Sequence, residues 1–266
     1  MLLTLLFACD TPPEAPPVEP TPAEVVEAPP AEVPPAATPG VITEGDLSIT
    51  PVYHGTALIR HGERVLWLDP WSKGALVDHA KGDIILITDV HSDHMDPEAL
   101  KVVSKPDAVI VAPAAVRDAL AEVGGPAVAH VLENGASLDL DGLTITAVPM
   151  YNLVRGPESG GLFHDKGRGN GYLLTAGEST VYFAGDTECT DEMKALSGVD
   201  LAFLPMNLPY TMPPEEAAGC VAAFKPARVI PYHYAGSDLS VFVGALAEAE
   251  GVTVEQAEFY PGGLPW

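Results

Sequence analysis

The sequence predicts an α/β protein in which stacked β-sheets carry helices on their outer faces. Two observations lead there. Strand-like stretches followed by alternating strand and helix patterns occur twice along the chain, the order expected of layered sheets. The stretch DIILITD at 83–89 is continuously apolar, as a strand buried on both faces is, and it runs straight into a group of histidines and aspartates. No short-period repeat is present, so a solenoid is not expected.

The chain opens with MLLTLLFA, an apolar run far too short to span a bilayer, and then reaches Cys9. The order Leu6, Phe7, Ala8, Cys9 resembles the end of a bacterial lipoprotein signal. That resemblance implies a signal over 1–9, a lipidated Cys9 and a place in the bacterial cell envelope facing the periplasm or exterior. Residues 10–42 turn to Pro, Ala, Glu, Val and Thr, a mix that buries too little apolar surface to offset its ordering entropy. An extended, disordered tether is expected there. A single hydrolase domain is expected over 43–266, since 266 residues at 47% hydrophobic content suffice for one large core.

Within that domain, LSITPVY, TALIRHG and RVLWLDP are β-rich and separated by Gly-containing breaks, which predicts an opening meander. After DIILITD, Asp96 precedes Pro97 and Glu98, an N-cap, a helical first position and an acidic first turn, so a helix is expected to about Ser104. A strand (AVIVA), a helix near 113–122 and short strands over 128–148 follow. The Gly-rich loop 155–171 carries Gly167, Gly169 and Gly171 without the strand-to-helix context of a nucleotide fingerprint, and is read as a flexible flap. YLLTA and STVYFAG predict a hairpin around Gly177-Glu178. Strand and helix then alternate through DLAFLP, PPEEAAGCVAAF, ARVIPYH, DLSVFVGALAEAE and VTVEQ.

The net charge of −24, from 37 acidic and 13 basic residues, would repel phosphate backbones, so nucleic acid is not an expected partner. A small-molecule or lipid-derived substrate is. The cysteines at 9, 189 and 220 lack CxxC spacing and suggest neither a disulfide framework nor a zinc knuckle. Cys220 falls in a helical apolar pattern and reads as core, whereas Cys189 is expected to line the cleft.

The chemistry gathers at TDVHSDHMD, 88–96, where Asp89, His91, Asp93 and His94 share one turn between a buried strand and a helix. Imidazole and carboxylate at one strand end suit a divalent transition metal. Downstream, Asp186 follows a strand in VYFAGDTE and His233 follows one in VIPYHY. His61, His79 and His130 lie away from these strand ends and read as surface residues.

These residues are similar to the signatures of the metallo-β-lactamase superfamily. Thr88-Asp89-Val90-His91-Ser92-Asp93-His94 resembles its Thr-His-x-His-x-Asp-His turn with Asp89 in place of the first histidine, and Gly185-Asp186-Thr187 resembles its bridging-aspartate segment. The resemblance implies a four-layer αββα sandwich of two mixed sheets. It implies one or two metal ions, with Asp89 and His91 in a first site, Asp93, His94 and His233 in a second, and Asp186 between them. Zinc is the first expectation, and manganese or iron suits the oxygen-bearing first half. The third ligand of the first site is left open among Tyr151, Asn152 and His164. The stretches His54-Gly55-Thr56, Trp67-Leu68-Asp69-Pro70 and Tyr210-Thr211-Met212 resemble the branch that contains ascorbate-phosphate lactonases and relatives of N-acyl phosphatidylethanolamine phospholipase D. His54 and Asp69 are then expected beside the ligands or the substrate.

The expected activity is hydrolysis of an ester, lactone or phosphodiester by a metal-activated water. Asp93 would orient the water and take its proton, with Tyr210 or His54 at the leaving group. The alternative is a metal- or ligand-binding protein on the same fold with weakened catalysis.

Overall fold

The structure, a computed structural model, describes residues 40–264. The signal and the greater part of the tether expected from the sequence lie outside these residues.

Two seven-stranded mixed sheets form the body. The first holds β1 (Ile42–Glu44), β2 (Leu47–Tyr53), β3 (Thr56–His61), β4 (Arg64–Leu68), β5 (Gly82–Leu86), β6 (Ser104–Ala112) and β7 (His130–Val131), in that order. β1 to β4 pair antiparallel, and β4 to β7 pair parallel. The second holds β8 (Ser137–Leu140), β9 (Leu143–Met150), β10 (Gly169–Ala176), β11 (Ser179–Phe183), β12 (Leu201–Pro205), β13 (Arg228–Tyr232) and β14 (Thr253–Val254). It repeats the plan, antiparallel from β8 to β11 and parallel from β11 to β14. The twofold occurrence of meander and βα pattern in the sequence is therefore two copies of one sheet plan, and the αββα expectation holds.

Among the described residues five α-helices complete the layers: α1 (Pro97–Val103), α2 (Ala114–Glu122), α3 (Asp191–Lys194), α4 (Pro214–Phe224) and α5 (Leu239–Ala245). Asp96 caps α1 as predicted, its side chain accepting from the amides of Glu98 and Ala99. α5 stops at Ala245, well short of the helical pattern that runs on to 250, and neither β1 nor α3 was foreseen.

Alternation assigns each strand of the second sheet to two cores. Val181, Phe183, Leu201, Phe203, Ile230 and Tyr232 face the core shared with the first sheet, which also takes in α1 and α2 residues. Tyr182, Ala184, Ala202, Leu204 and Val229 face the opposite way, under Met193, Val221, Phe224 and Phe242 of α3 to α5. β12 is buried at every position, which a strand between two cores must be.

The expectation of a flexible glycine flap is corrected. Gly169 and Gly171 are buried inside β10, where a Cβ would come within 2.9 Å of the Thr88 carbonyl and 2.7 Å of the Ala184 carbonyl respectively. Glycine is required there for close backbone approach. The cysteine reading is also corrected: Cys189 and Cys220 form a disulfide with Cα atoms 5.6 Å apart, fastening the segment after Asp186 to α4. Two cysteines 31 residues apart carry no spacing signal that could have announced it.

Candidate metal centre

Every chemical residue of the motif sits where strands end on one side of the body. Asp69 follows β4, Asp89 to His94 follow β5, Asp186 follows β11 and His233 follows β13, while His54 forms the tight β2–β3 turn and His164 lies in the β9–β10 connection. Strand C-termini in α/β sheets leave side chains and loops unpaired beyond the last ladder bond, which makes them sites. His54, Asp69 and His233 all have positive φ, at 56°, 43° and 46°. Non-glycine residues in that region are strained, and strain of this kind clusters where a side chain must be aimed. The backbone itself locks two of them together, the His233 amide donating to the His54 carbonyl at 3.2 Å.

Among the described residues three groups could hold a divalent ion, each with its ligand atoms within 4.8 Å of one another: Asp89, His91 and His164; His94, Asp186 and His233; and His54, Asp93 and His233, the last two sharing His233. Asp186 stands between them. Its Oδ2 lies 3.3 Å from His164 Nε2 and 3.4 Å from His94 Nε2, and its Oδ1 lies 3.3 Å from His233 Nε2. Asp93 Oδ2 lies 3.3 Å from His233 Nε2 and 3.6 Å from His94 Nε2. Ligand atoms bound tetrahedrally at about 2.0–2.1 Å are themselves roughly 3.3 Å apart, so the spacing is one that ligands of a common ion adopt.

The fit is confirmed by what is left unpaired. His94 Nε2, His164 Nε2 and Asp186 Oδ1 are buried without a hydrogen-bond partner. Buried polar atoms are normally satisfied, and orphans gathered around the Asp186 carboxylate call for cations. The opposite ring nitrogens are engaged, which aims the orphans. His94 Nδ1 contacts Asp69 Oδ2 at 2.8 Å, and Asp69 is fixed by the Thr88 amide at 2.8 Å and hydroxyl at 2.6 Å. His164 Nδ1 contacts Asn152 Oδ1 at 2.6 Å. A carboxylate or amide oxygen behind each imidazole places the proton on Nδ1 and presents Nε2 as a ligand.

The electrostatics agree. Burial opposes ionisation of Asp186, yet His233 and His94 outweigh it and hold the carboxyl well below the ordinary range. Burial likewise opposes ionisation of Asp93, and His94 and His233 depress it. His94 is raised despite full burial because Asp186, Asp93 and Asp69 surround it. His54 goes the other way: burial and the neighbouring His233 push it down to about 4. Its ring lies 3.6 Å from that of His233, with Nδ1 against the Tyr260 hydroxyl at 2.7 Å and Nε2 against Asp93 Oδ2 at 3.2 Å.

Of the three residues left open for the first group, His164 is the one whose ligand atom lies with those of Asp89 and His91. His164 presents its nitrogen to the centre, Asn152 stands behind it, and the Tyr151 hydroxyl turns away to Glu192 at 2.8 Å. Asn152 is held in turn by buried Glu188, which also accepts from the amides of Leu153, Val154 and Arg155. Tyr210 lines the cavity without touching the His/Asp cluster, its ring 5.0 Å from that of Phe163. Asp89 is not a simple substitute for a histidine. Arg168 clasps both of its oxygens, Nε to Oδ1 at 2.9 Å and Nη2 to Oδ2 at 2.8 Å, while Oδ2 also lies 3.0 Å from His91 Nδ1. Sequence reasoning missed Arg168, Glu188 and Tyr260. The one available signal was an arginine between glycines at the mouth of a strand, with an unmatched buried aspartate to receive it.

These groups open into a cavity of about 330 Å³ lined by His91, Asp93, His164, Asp186 and His233 together with Ser92, Phe163, Asn207 and Tyr210.

Comparison with known proteins agrees with the geometry. Residues 48–233 match the family described as Beta-lactamase superfamily domain, a span that contains the motif turn, Asp186 and His233. A UPF0173 metal-dependent hydrolase of Pyrobaculum arsenaticum is 31% identical over 193 residues, 68% of this chain and 81% of its own length. One from Thermococcus onnurineus is 31% identical over 65% of this chain and 78% of its own. A Parabacteroides distasonis crystal structure, provisionally described as a metal-dependent hydrolase, superposes with a TM-score of 0.74 at 36% identity, covering 82% of this chain and 97% of its own. With a matching family span, relatives of this likeness and ligand-type side chains gathered at one set of strand ends, the chain belongs to the metallo-β-lactamase superfamily, within its UPF0173 family, and is a metal-dependent hydrolase.

Proposed function

We propose that this protein hydrolyses an ester, lactone or phosphodiester bond at a centre of one or two divalent ions held by His91, His164, Asp93, His94, Asp186 and His233, with Asp89 as a shared ligand of the first half. The observation that carries this reading is that His94 Nε2 and His164 Nε2, buried and unpaired, both approach the Asp186 carboxylate, whose Oδ1 is unpaired too. Bound there, zinc, manganese or iron would supply a Lewis acid and bring the pKa of a water from about 16 toward 7.

The chain's own residues do the rest. Asp93, a quarter exposed at the cavity, has Oδ2 committed to the histidines, which leaves Oδ1 to accept the water's proton and pass it to the leaving oxygen. His54, kept neutral by burial, fixes the Asp93 carboxylate through Nε2. Tyr210, on the cavity wall, is placed to meet the leaving group. Asp69 and Asn152 keep two ligand imidazoles turned inward.

The likeness of the His54, Asp69 and Tyr210 segments to the ascorbate-phosphate lactonase and phospholipase D-like branch supports the same class of reaction. The Cys189–Cys220 disulfide supports an oxidising compartment, and with the lipoprotein-type Cys9 it supports an envelope location tethered to a membrane.

The test is turnover of an aryl ester, a lactone and an aryl phosphodiester by the full chain loaded with zinc or manganese, beside Asp93→Ala. We expect metal-dependent hydrolysis of at least one class, reduced at least a hundredfold in the variant. Full activity in Asp93→Ala contradicts the assigned proton path, and metal-replete protein inert toward all three classes contradicts the reaction.

A further inference from the structure

Resting on the hydrolase reading above, the surroundings of the centre narrow its substrate. Three cations lie in the connection between β9 and β10 beside the cavity, and each is already paired. Arg155 Nη1 binds Glu216 at 2.8 Å and Glu188 at 3.2 Å, Lys166 Nζ binds Glu192 at 2.5 Å, and Arg168 forks onto Asp89. No lysine or arginine is among the described residues that line the cavity. An anionic substrate would meet only the bound ions, whose charge Asp89, Asp93 and Asp186 already offset, with no side-chain cation to hold its remaining charge, inside a chain of net charge −24.

One wall of the cavity is apolar, and further exposed apolar side chains follow closely in sequence on residues of the site, Leu153 and Val154 after Asn152 and Leu208 after Asn207. Phe163 and Tyr210 form one wall as an edge-to-face pair at 5.0 Å. Leu153, Val154, Leu208 and Tyr210 are exposed at 46, 77, 47 and 43%, four of the nine large hydrophobic residues left exposed among those described. All four belong to two loops joined by the Asn152 side-chain amide donating to the Tyr210 carbonyl at 2.9 Å. Exposed apolar side chains scattered singly are ordinary, but a cluster beside a concave site marks a binding surface.

We propose that the substrate is an uncharged carboxylic ester or lactone whose non-reacting part is apolar, seated against Phe163 and Tyr210. Water adds its oxygen to the acyl carbon, the bond from that carbon to the alkoxide oxygen breaks, and a water proton ends on the alcohol. The acyl or alkyl chain lies along the apolar wall and displaces water from it.

Steady-state kinetics of the metal-loaded full chain on p-nitrophenyl acetate, butyrate and octanoate, with bis-p-nitrophenyl phosphate and p-nitrophenyl phosphate alongside, test this. The expected result is a kcat/KM rising at least tenfold from acetate to octanoate through KM, with both phosphates at least a hundredfold below octanoate. Phe163→Ala is expected to raise KM for octanoate at least fivefold more than for acetate. Tyr210→Phe, which keeps the ring and removes the hydroxyl assigned to the leaving group, is expected to keep the rise from acetate to octanoate. A flat chain-length profile, or a phosphodiester preferred over every ester, overturns the proposal and leaves the hydrolase reading intact. Octanoate cleaved only when carried in phosphatidylcholine vesicles also overturns it, since the exposed apolar side chains would then serve a lipid surface. Loss of every activity in metal-replete protein overturns both.

Discussion

Arg168 holds Asp89 with two parallel hydrogen bonds, 2.9 and 2.8 Å long, across 79 residues of sequence. Asp89 is fully buried, and burial alone would raise its pKa, but His91 and the guanidinium hold it well below the ordinary range. A carboxylate whose charge is shared with an arginine donates less of it to an ion. The first half of the proposed centre is therefore expected to bind its ion more weakly than the second.

Arg168→Gln keeps a donor but removes the charge. The ion-free variant is expected to lose about 3 kcal/mol of stability, because a buried carboxylate loses its counter-charge. Ion affinity of the first half should nevertheless rise at least tenfold in competition with a chelator. A weakened affinity would mean that Arg168 acts by orienting Asp89 alone.

Asp69 reaches the centre only through His94, accepting from Thr88 twice and contacting His94 Nδ1. Asp69→Asn can still pair with Thr88 but no longer supplies a negative charge behind the imidazole. Affinity for zinc is expected to fall by about 10–100-fold, the usual effect of losing a partner behind a ligand. Equilibrium dialysis with zinc measures it, and an unchanged constant would remove Asp69 from the account.

The Cys189–Cys220 bridge closes a loop of 31 residues between the Asp186 segment and α4. The double variant Cys189→Ala/Cys220→Ala is expected to be less stable by about 3 kcal/mol on chain-entropy grounds. Denaturant unfolding of both proteins with and without reductant checks this: reductant should lower the midpoint of the parent and leave the variant unmoved.

Glu188 gathers three backbone amides and Asn152 behind His164. Burial acts against its ionised form, but these donors and Arg155 lower its pKa below the ordinary 4.5. A depressed carboxyl contributes stability that is complete above its unfolded value and is lost as the pH falls through its folded one. Glu188→Gln should therefore cost about 2 kcal/mol at pH 7. The difference from the parent should shrink as the pH drops below 4.5, and thermal melts over that range would show it.

Much of this was legible in the sequence because it is written locally. DIILITD announced a central strand, Asp96-Pro97-Glu98 announced a helix start, and Asp89, His91, Asp93 and His94 stood in one turn. Asp186 and His233 were assigned through the resemblance of Gly185-Asp186-Thr187 and VIPYHY to superfamily segments, each following an apolar strand. What stayed hidden depends on distance. His164 lies in an irregular connection without periodicity, so nothing local separated it from Tyr151 or Asn152. Gly169 and Gly171 looked mobile because a sequence does not display the carbonyls of Thr88 and Ala184 that press against them. Arg168 and Asp89 meet only when the two sheets are brought together, and Cys189 and Cys220 only when α4 packs on the segment after β11.

The central claim is that one ion sits among His94, Asp186 and His233. Crystals of the full chain soaked in zinc, measured by anomalous scattering at the zinc edge, address it directly. The account predicts a peak bonded to all three residues in the parent and its loss in Asp186→Ala. Density with no peak there, or a peak that persists at full occupancy in Asp186→Ala, would contradict it.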